Sequence, residues 1–212
     1  MNGASSVCGV ILAAGESSRM GADKALLPWP PGTATGQSFL SAAIECLNNF
    51  SDMVIVVAGK NAANLAPVVY ANAAFLVKNP APERGQFSSL QIGLQEVLNR
   101  GRDAAIVTLV DRPPVRSSTL QMLCEAFTTR MHDKWSVVPE YQGEHGHPFL
   151  IDREMIQVFS EAPATASARD IEHQHQQHIQ YLEVDDPAVT LNVDTPEDYA
   201  ALSQSPSPGP RT

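Results

Sequence analysis

No stretch of this 212-residue chain approaches the roughly 18 consecutive apolar residues that cross a bilayer, and the opening MNGASSV has neither the positive nor the long apolar segment of a secretory signal. A cytoplasmic protein with no membrane partner is therefore expected. Cysteine is scarce: Cys8, Cys46 and Cys124 are far apart, odd in number and each set in an apolar stretch, which favours buried free thiols over disulfides or a metal site. Positive charge is short as well, with 14 Lys and Arg against 23 Asp and Glu and a net charge of −9, so the basic face that nucleic acid requires is lacking. An acidic chain that binds a polyphosphate must gather positive charge locally and recruit a divalent cation. Internal repeats and a second domain are also missing, and the length, with 43% apolar and 17% charged residues, suits one α/β domain with one well-developed core.

What is present begins with Val7–Ala13, an apolar run long enough for one buried strand. Gly15, Ser17, Ser18, Arg19, Gly21 and Lys24 follow at once, so a core strand gives way to a basic loop punctuated by glycine. Gly15 lets backbone approach a ligand closely, successive N–H groups in such a loop form an anion-binding concavity, and Arg19 and Lys24 add two positive charges to it. These features describe a phosphate cradle, and they also describe an ordinary solvated turn. The spacing is neither the Walker pattern G-x-x-x-x-G-K-[ST] nor the dinucleotide fingerprint G-x-G-x-x-G.

Further along, residues 38–50 carry an apolar helical stripe, and Met53–Ala58 is a continuously apolar strand of the kind buried on both faces of a parallel sheet. Residues 61–70 read as a short helix broken by Pro67, and 74–77 as a short strand. The segment 78–89, KNPAPERGQFSS, is a loop running into an amphipathic helix, with Ser88 and Gln91 as its capping box. A ligand can meet that helix start, or the segment can be a plain strand-to-helix turn. Residues 104–110 form the cleanest strand and end in Asp111-Arg112-Pro113-Pro114; a carboxylate at the carboxyl end of a parallel strand sits where open α/β sheets bind ligands, although aspartate also simply starts turns. A helix over 118–130, capped from Ser118 to Gln121, and a strand over 135–139 come next. His145 and His147 have no third metal ligand nearby, and surface turns often carry such residues; of His173, His175 and His178, the first two are two apart and do not share a helix face, so a solvated surface is the better account of that cluster. Helices over 153–160 and 166–177 and strands over 180–184 and 189–193 complete the pattern. Thr195 as N-cap, Pro196 at the first helical position and Glu197 and Asp198 in the first turn then start a last helix, with a disordered tail from Ser203.

The string L-A-A-G-x-S-x-R-M-G-x-x-K over residues 12–24, continued by ALLPW, resembles the signature of nucleotidyltransferases that activate small molecules with a nucleoside triphosphate, most of all the molybdenum cofactor cytidylyltransferase branch. N-P-x-x-x-x-G-x-x-x-S-L from Asn79, D-x-P from Asp111, G-x-x-G-H-P-F-L from Gly143 and N-x-D-T-P-E-D-Y from Asn192 are similar to later motifs of the same family, in the same order. The resemblance implies nucleotide contacts at Leu12, Ala13, Ala14, Gly15, Ser17, Arg19, Lys24, Gly85, Ser88 and Ser89, with Arg19, Lys24 and Asp111 catalytic. It implies a magnesium ion, or manganese in its place, on Asp111 and Asp194, and an acceptor held near Gly146, His147, Pro148 and Arg169, with His147 a positioning donor rather than a base. Two departures stand out: Arg112 occupies the middle of D-x-P, where a neutral residue is usual, and Ser167 precedes Ala168-Arg169 where the family has glycine.

The expected fold is α/β: a three-layer sandwich with a mostly parallel sheet, nucleotide-diphospho-sugar-transferase-like and Rossmann-like, spanning residues 1–202, with the nucleotide half at about 7–115 and the acceptor half at about 116–202. The implied function is cytidylyl transfer from CTP to the phosphate of molybdopterin, with loss of pyrophosphate. The resemblance further implies a monomer that hands its product to a molybdoenzyme or its chaperone. The rivals are transfer to a sugar or polyol phosphate, guanylyl transfer to the same cofactor, and a delivery protein that binds without transferring. Pure binding does not demand Lys24, Asp111 and Asp194 together.

Overall fold

A computed structural model describes residues 6–15, 22–33, 36–163 and 165–202. Val7–Ala13 forms β1, Met53–Ala58 β2, Phe75–Lys78 β3 and Ala104–Leu109 β4; β1 lies between β2 and β4, β3 borders β2, and all four run parallel. The sheet continues through β7 (Phe149–Asp152), antiparallel to both β4 and β5 (Ser136–Tyr141). The short β6 (Glu144–His145) pairs with the end of β5, whose other edge carries β8 (Ile179–Glu183) in parallel.

Alternation along the strands builds two cores, one on each face. Ile11 and Ala13 of β1 join the face covered by α1 (Phe39–Asn48), α2 (Ala62–Ala71) and α4 (Ser117–Thr129), while Cys8, Val10 and Leu12 join the face covered by α3 (Gln86–Asn99), α5 (Arg153–Glu161) and α6 (Ala168–Gln174). The expected three-layer sandwich with a mostly parallel sheet is the observed one. The three thiols are free, and burial pushes Cys8 up to about 12 and Cys46 up to about 11. Among the described residues, no helix is long and apolar enough to cross a membrane.

Several local expectations are corrected. Pro67 lies inside α2 and does not break it, because Leu65 and Val69 anchor the helix to the core while Pro67 and Ala63, whose carbonyl loses its donor, face solvent. Ser88 is not an N-cap: Gly85, at φ 92°, makes the turn, α3 starts at Gln86, and Ser88 Oγ donates to Gly85 O at 2.7 Å from within the first turn. Gln91 instead donates to Phe159 O and Ala162 O, joining α3 to the end of α5. Ser118 and Gln121 form no box either; buried Asp186 reaches in, accepting from Arg116 N at 2.9 Å and Thr119 Oγ1 at 2.8 Å. The 166–177 helix is shorter, ending at Gln174 before a 3₁₀ turn. No strand forms over 189–193, because Val189 O is taken by His147 N and Val193 N by Asp111 O, loop partners rather than a neighbouring strand. Conversely β6 and β7, which flank the glycine-histidine-proline motif, are strands that the sequence pattern does not announce. The expected Thr195 cap of the last helix, α7 (Pro196–Leu202), is present, with Asp198 N donating to Thr195 Oγ1, and Asp198 Oδ2 accepts from Thr195 N in return. The expected tail lies outside the described residues.

Candidate active site

A cleft of about 450 Å³ opens where β1 and β4 end and α3 begins. Leu12, Ala14 and Gly15 contribute from the end of β1, Gly85, Gln86 and Ser89 from the start of α3, Leu109 to Asp111 from the end of β4, and Asp23, Lys24 and Asp194 from outside these strands. Parallel strands put their carboxyl ends on one edge, so residues far apart in sequence meet there.

Lys24 is 9% exposed, and its Nζ stands 2.8 Å from Asp194 Oδ1 and 3.7 Å from Asp111 Oδ2. Three ties bring these groups together. Val193 N donates to Asp111 O at 2.9 Å, placing Asp194 beside the end of β4. Arg112, the unusual residue of D-x-P, donates from Nη1 to Val189 O at 3.1 Å and Leu191 O at 3.3 Å, so the same turn that carries one carboxylate clamps the segment leading to the other. On the far side Tyr199 OH donates to Pro28 O at 2.7 Å, and its ring packs 6.0 Å from Phe39, fastening α7 to the chain that follows Lys24.

Burial raises the Asp111 carboxyl above the usual aspartate value; Lys24 and Arg112 oppose that rise and Asp194 reinforces it. Asp111 Oδ1 is buried and has no hydrogen-bond partner among the described residues. An orphaned carboxylate oxygen beside a second carboxylate suits a hard divalent cation, which takes oxygen ligands. The described residues hold no group of three or more acidic, histidine or cysteine side chains that could hold a metal ion, so a cation placed here would need further ligands from outside the protein.

The sequence matches the MobA-like NTP transferase domain over residues 9–179. The chain belongs to that family. Among its relatives, the molybdenum cofactor cytidylyltransferase of Escherichia coli (strain K12) is 25% identical over 197 residues, 92% of this chain and 94% of that protein. A probable molybdenum cofactor guanylyltransferase of Rhodopirellula baltica is 32% identical over 119 residues, 56% of this chain and 54% of that protein. A Mycobacterium tuberculosis protein of known structure superimposes with a TM-score of 0.76 at 25% identity, covering 94% of this chain and 99% of that one.

Within this MobA-like domain the residues expected at the nucleotide separate into two groups. Leu12, Ala14, Gly15, Lys24, Gly85 and Ser89 line the cleft. Ala13 and Ser88 stand one layer back: Ala13 is 2% exposed and turned into the core, and Ser88 shares with Ser89 the amide of buried Asn79, whose Nδ2 lies 2.9 Å from each hydroxyl. Asn79 opens the N-P motif without a role of its own in the sequence, and Asp23, Glu83 and Gln86, which line the cleft, carry no motif role there. Ser17 and Arg19 lie outside the described residues.

The acceptor-side candidates do not line the cleft. Arg169 is exposed on α6, and Gly146 is packed so tightly that a Cβ there would stand 2.1 Å from Val189 O. Pro148 shares a small hollow with Arg112. The His147 backbone donates to Val189 O at 2.8 Å, and its buried Nδ1 has no partner among the described residues. Burial, with the Arg112 charge as a second cause, lowers the His147 pKa from 6.5 to about 3, so the ring is neutral in the fold.

That shift carries a sign. The unfolded chain protonates this ring below pH 6.5 while the folded one does not until about 3, so stability falls as pH drops through that window, by about 1.4 kcal/mol per unit. Denaturant unfolding at pH 7 and pH 5 should therefore show a loss of about 2 kcal/mol in the wild type that His147→Gln lacks. Equal losses in the two proteins would refute the neutral, buried ring.

Proposed function

We propose that this MobA-like domain transfers a cytidylyl group from CTP to the terminal phosphate of molybdopterin or the molybdenum cofactor, releasing pyrophosphate. The observation that carries the reading is the placing of Lys24 between Asp111 and Asp194 in the cleft bounded by Ala14, Gly15 and the start of α3. An acceptor phosphate oxygen forms a bond to the α-phosphorus and the α–β phosphate bond breaks. A phosphate nucleophile is already ionised at neutral pH, so the chain need supply no general base. Positioning and charge stabilisation carry the rate.

Leu12, Ala14, Gly15, Gly85 and Ser89 hold the nucleotide in this reading, with Ser17 and Arg19 joining them on the strength of the motif and Asn79 orienting the two α3 hydroxyls. Lys24 meets the charge that grows on the non-bridging and leaving oxygens. Asp111 and Asp194 would hold a divalent cation, magnesium or manganese, which when bound neutralises phosphate charge. The nucleotide half is about 7–115, and the acceptor approaches from the half at about 116–202, with the Gly146-His147-Pro148 turn and Arg169 kept as acceptor-side candidates on the strength of the motif alone. A cytoplasmic monomer that passes its product to a molybdoenzyme or chaperone completes the proposal.

The rival base is guanine, favoured by the guanylyltransferase relative. Ala14 favours cytosine in this reading, because guanylyl-transferring relatives usually carry glycine there and a methyl in the cleft wall crowds a purine more than a pyrimidine. One methyl in a site wall is worth ~1–3 kcal/mol, so CTP should bind about fivefold tighter than GTP or more by calorimetry. Pyrophosphate release in the presence of magnesium and extracted molybdopterin should follow the same order. Equal or reversed affinities would overturn the cytidylyl assignment, and nucleotide binding without pyrophosphate release would favour the delivery protein.

A further inference from the structure

Asn61, at the start of α2, is absent from every motif discussed above, yet its amide touches three separate parts of the cleft's frame. Its Oδ1 accepts from Gly59 N at 3.0 Å, just past the end of β2. Its Nδ2 donates to Ala13 O at 3.0 Å, the last residue of β1, and to Asp23 Oδ2 at 2.8 Å. The other oxygen of Asp23 accepts from Ala25 N at 3.1 Å as the N-cap of the 3₁₀ turn Lys24–Leu26, and Leu26 N donates to Asp23 O at 3.0 Å. A single side chain thus joins the ends of two core strands to the residue immediately before Lys24.

Asp23 lines the cleft, where a free carboxylate would oppose an anionic ligand. Both of its oxygens are committed to donors, one supplied by Asn61 and one by the turn. Only an amide can do what Asn61 does here, since one oxygen must accept from Gly59 while the nitrogen supplies two donors; aspartate has no donor when ionised, and alanine has neither group. The close approach of β2 to β1 that lets Asn61 reach Ala13 also depends on Gly59, where a Cβ would stand 2.8 Å from Ala14 O.

We infer that Asn61 is a positioning residue that acts through Asp23 on Lys24, fixing the turn from which the lysine reaches its place between Asp194 and Asp111. The inference rests on the nucleotidyl-transfer reading only where turnover is measured, so the test has one arm that needs no ligand. In that arm the full chain and Asn61→Ala are treated with a water-soluble acetylating ester, and modification of each lysine is followed by peptide mass spectrometry. Lys24, buried and paired in the fold, should react about fivefold faster or more in the variant, while exposed Lys78 keeps its rate. An unchanged Lys24 rate overturns the inference, and a rise shared by Lys78 overturns it in favour of general loosening.

In the second arm, CTP turnover with magnesium and molybdopterin is compared in the wild type, Asn61→Ala, Lys24→Ala and the double variant. Asn61→Ala should lower kcat about tenfold with KM for CTP changed less than about twofold, and should cost nothing further once Lys24 is gone. Penalties that multiply independently overturn the inference. A wild type that turns over no nucleotide overturns the proposed function instead, and the acetylation arm then decides the role of Asn61.

Discussion

Lys24→Ala should lower kcat by ~10²–10³ while changing nucleotide affinity far less, the pattern of one oxyanion-type donor withdrawn from a transition state. In the ground state the ammonium is already occupied by Asp194 and Asp111, at 2.8 and 3.7 Å, so a bound triphosphate gains little from it beyond what the carboxylates already take. As the α–β bond breaks, charge accumulates on oxygens that had shared it, and a cation held in place answers that charge without reorganising. The site is also poorly hydrated around this group, since Lys24 is 9% exposed, and a fixed charge acts more strongly there than in water. Single-turnover and steady-state measurements on the variant, with calorimetric CTP titration beside them, separate the two contributions. A variant that binds nucleotide poorly yet turns over normally at saturation would show that the lysine serves ground-state binding only.

Much of this site could be read from local sequence because each part of it is a local event. A strand that runs out into Ala14 and Gly15, a strand that leads to Asp111, and a proline-started helix preceded by Asp194 are each written in a few adjacent residues, and a parallel sheet then brings the ends to one edge. The errors share a cause as well. The cap of α4 comes from Asp186, about seventy residues away, and Val189 and Val193 look like a strand until their backbone is seen to serve His147 and Asp111. β7 starts inside the glycine-histidine-proline motif, right after the tightly packed Gly146, so its short buried run of Phe149, Leu150 and Ile151 reads in sequence as part of that motif. Asn61 carries no local signal at all, and Asn79 only opens a motif without a role of its own: an asparagine near a strand end is common, and only the fold shows which backbone and side-chain groups its amide joins. Arg112 is the reverse case, conspicuous in sequence as a departure from the family pattern and intelligible only through the carbonyls of Val189 and Leu191 that it holds.

Asp111→Asn should separate activity from stability more sharply than any other substitution in the cleft. The isosteric amide removes a charge that the proposed cation needs, and metal-based charge stabilisation of several kcal/mol corresponds to a turnover loss of ~10²-fold or more, since each 1.36 kcal/mol is tenfold. Manganese binding to the protein without nucleotide, read by electron paramagnetic resonance, should weaken in parallel. Stability should move the other way or not at all. Burial raises the folded-state carboxyl pKa of Asp111, so the folded protein binds this proton more tightly than the unfolded chain, and ionising the group above that raised value costs folding energy. The wild type without metal therefore loses this contribution as pH rises from the ordinary aspartate value of 3.8 through the raised one, a loss the amide cannot suffer. Calorimetric unfolding of metal-free protein at neutral pH should find the variant at least as stable as the wild type, with manganese restoring the advantage to the wild type alone. A variant that keeps wild-type manganese affinity, or one that loses activity only because it unfolds, would remove Asp111 from the cation site and leave Asp194 and Lys24 without their partner.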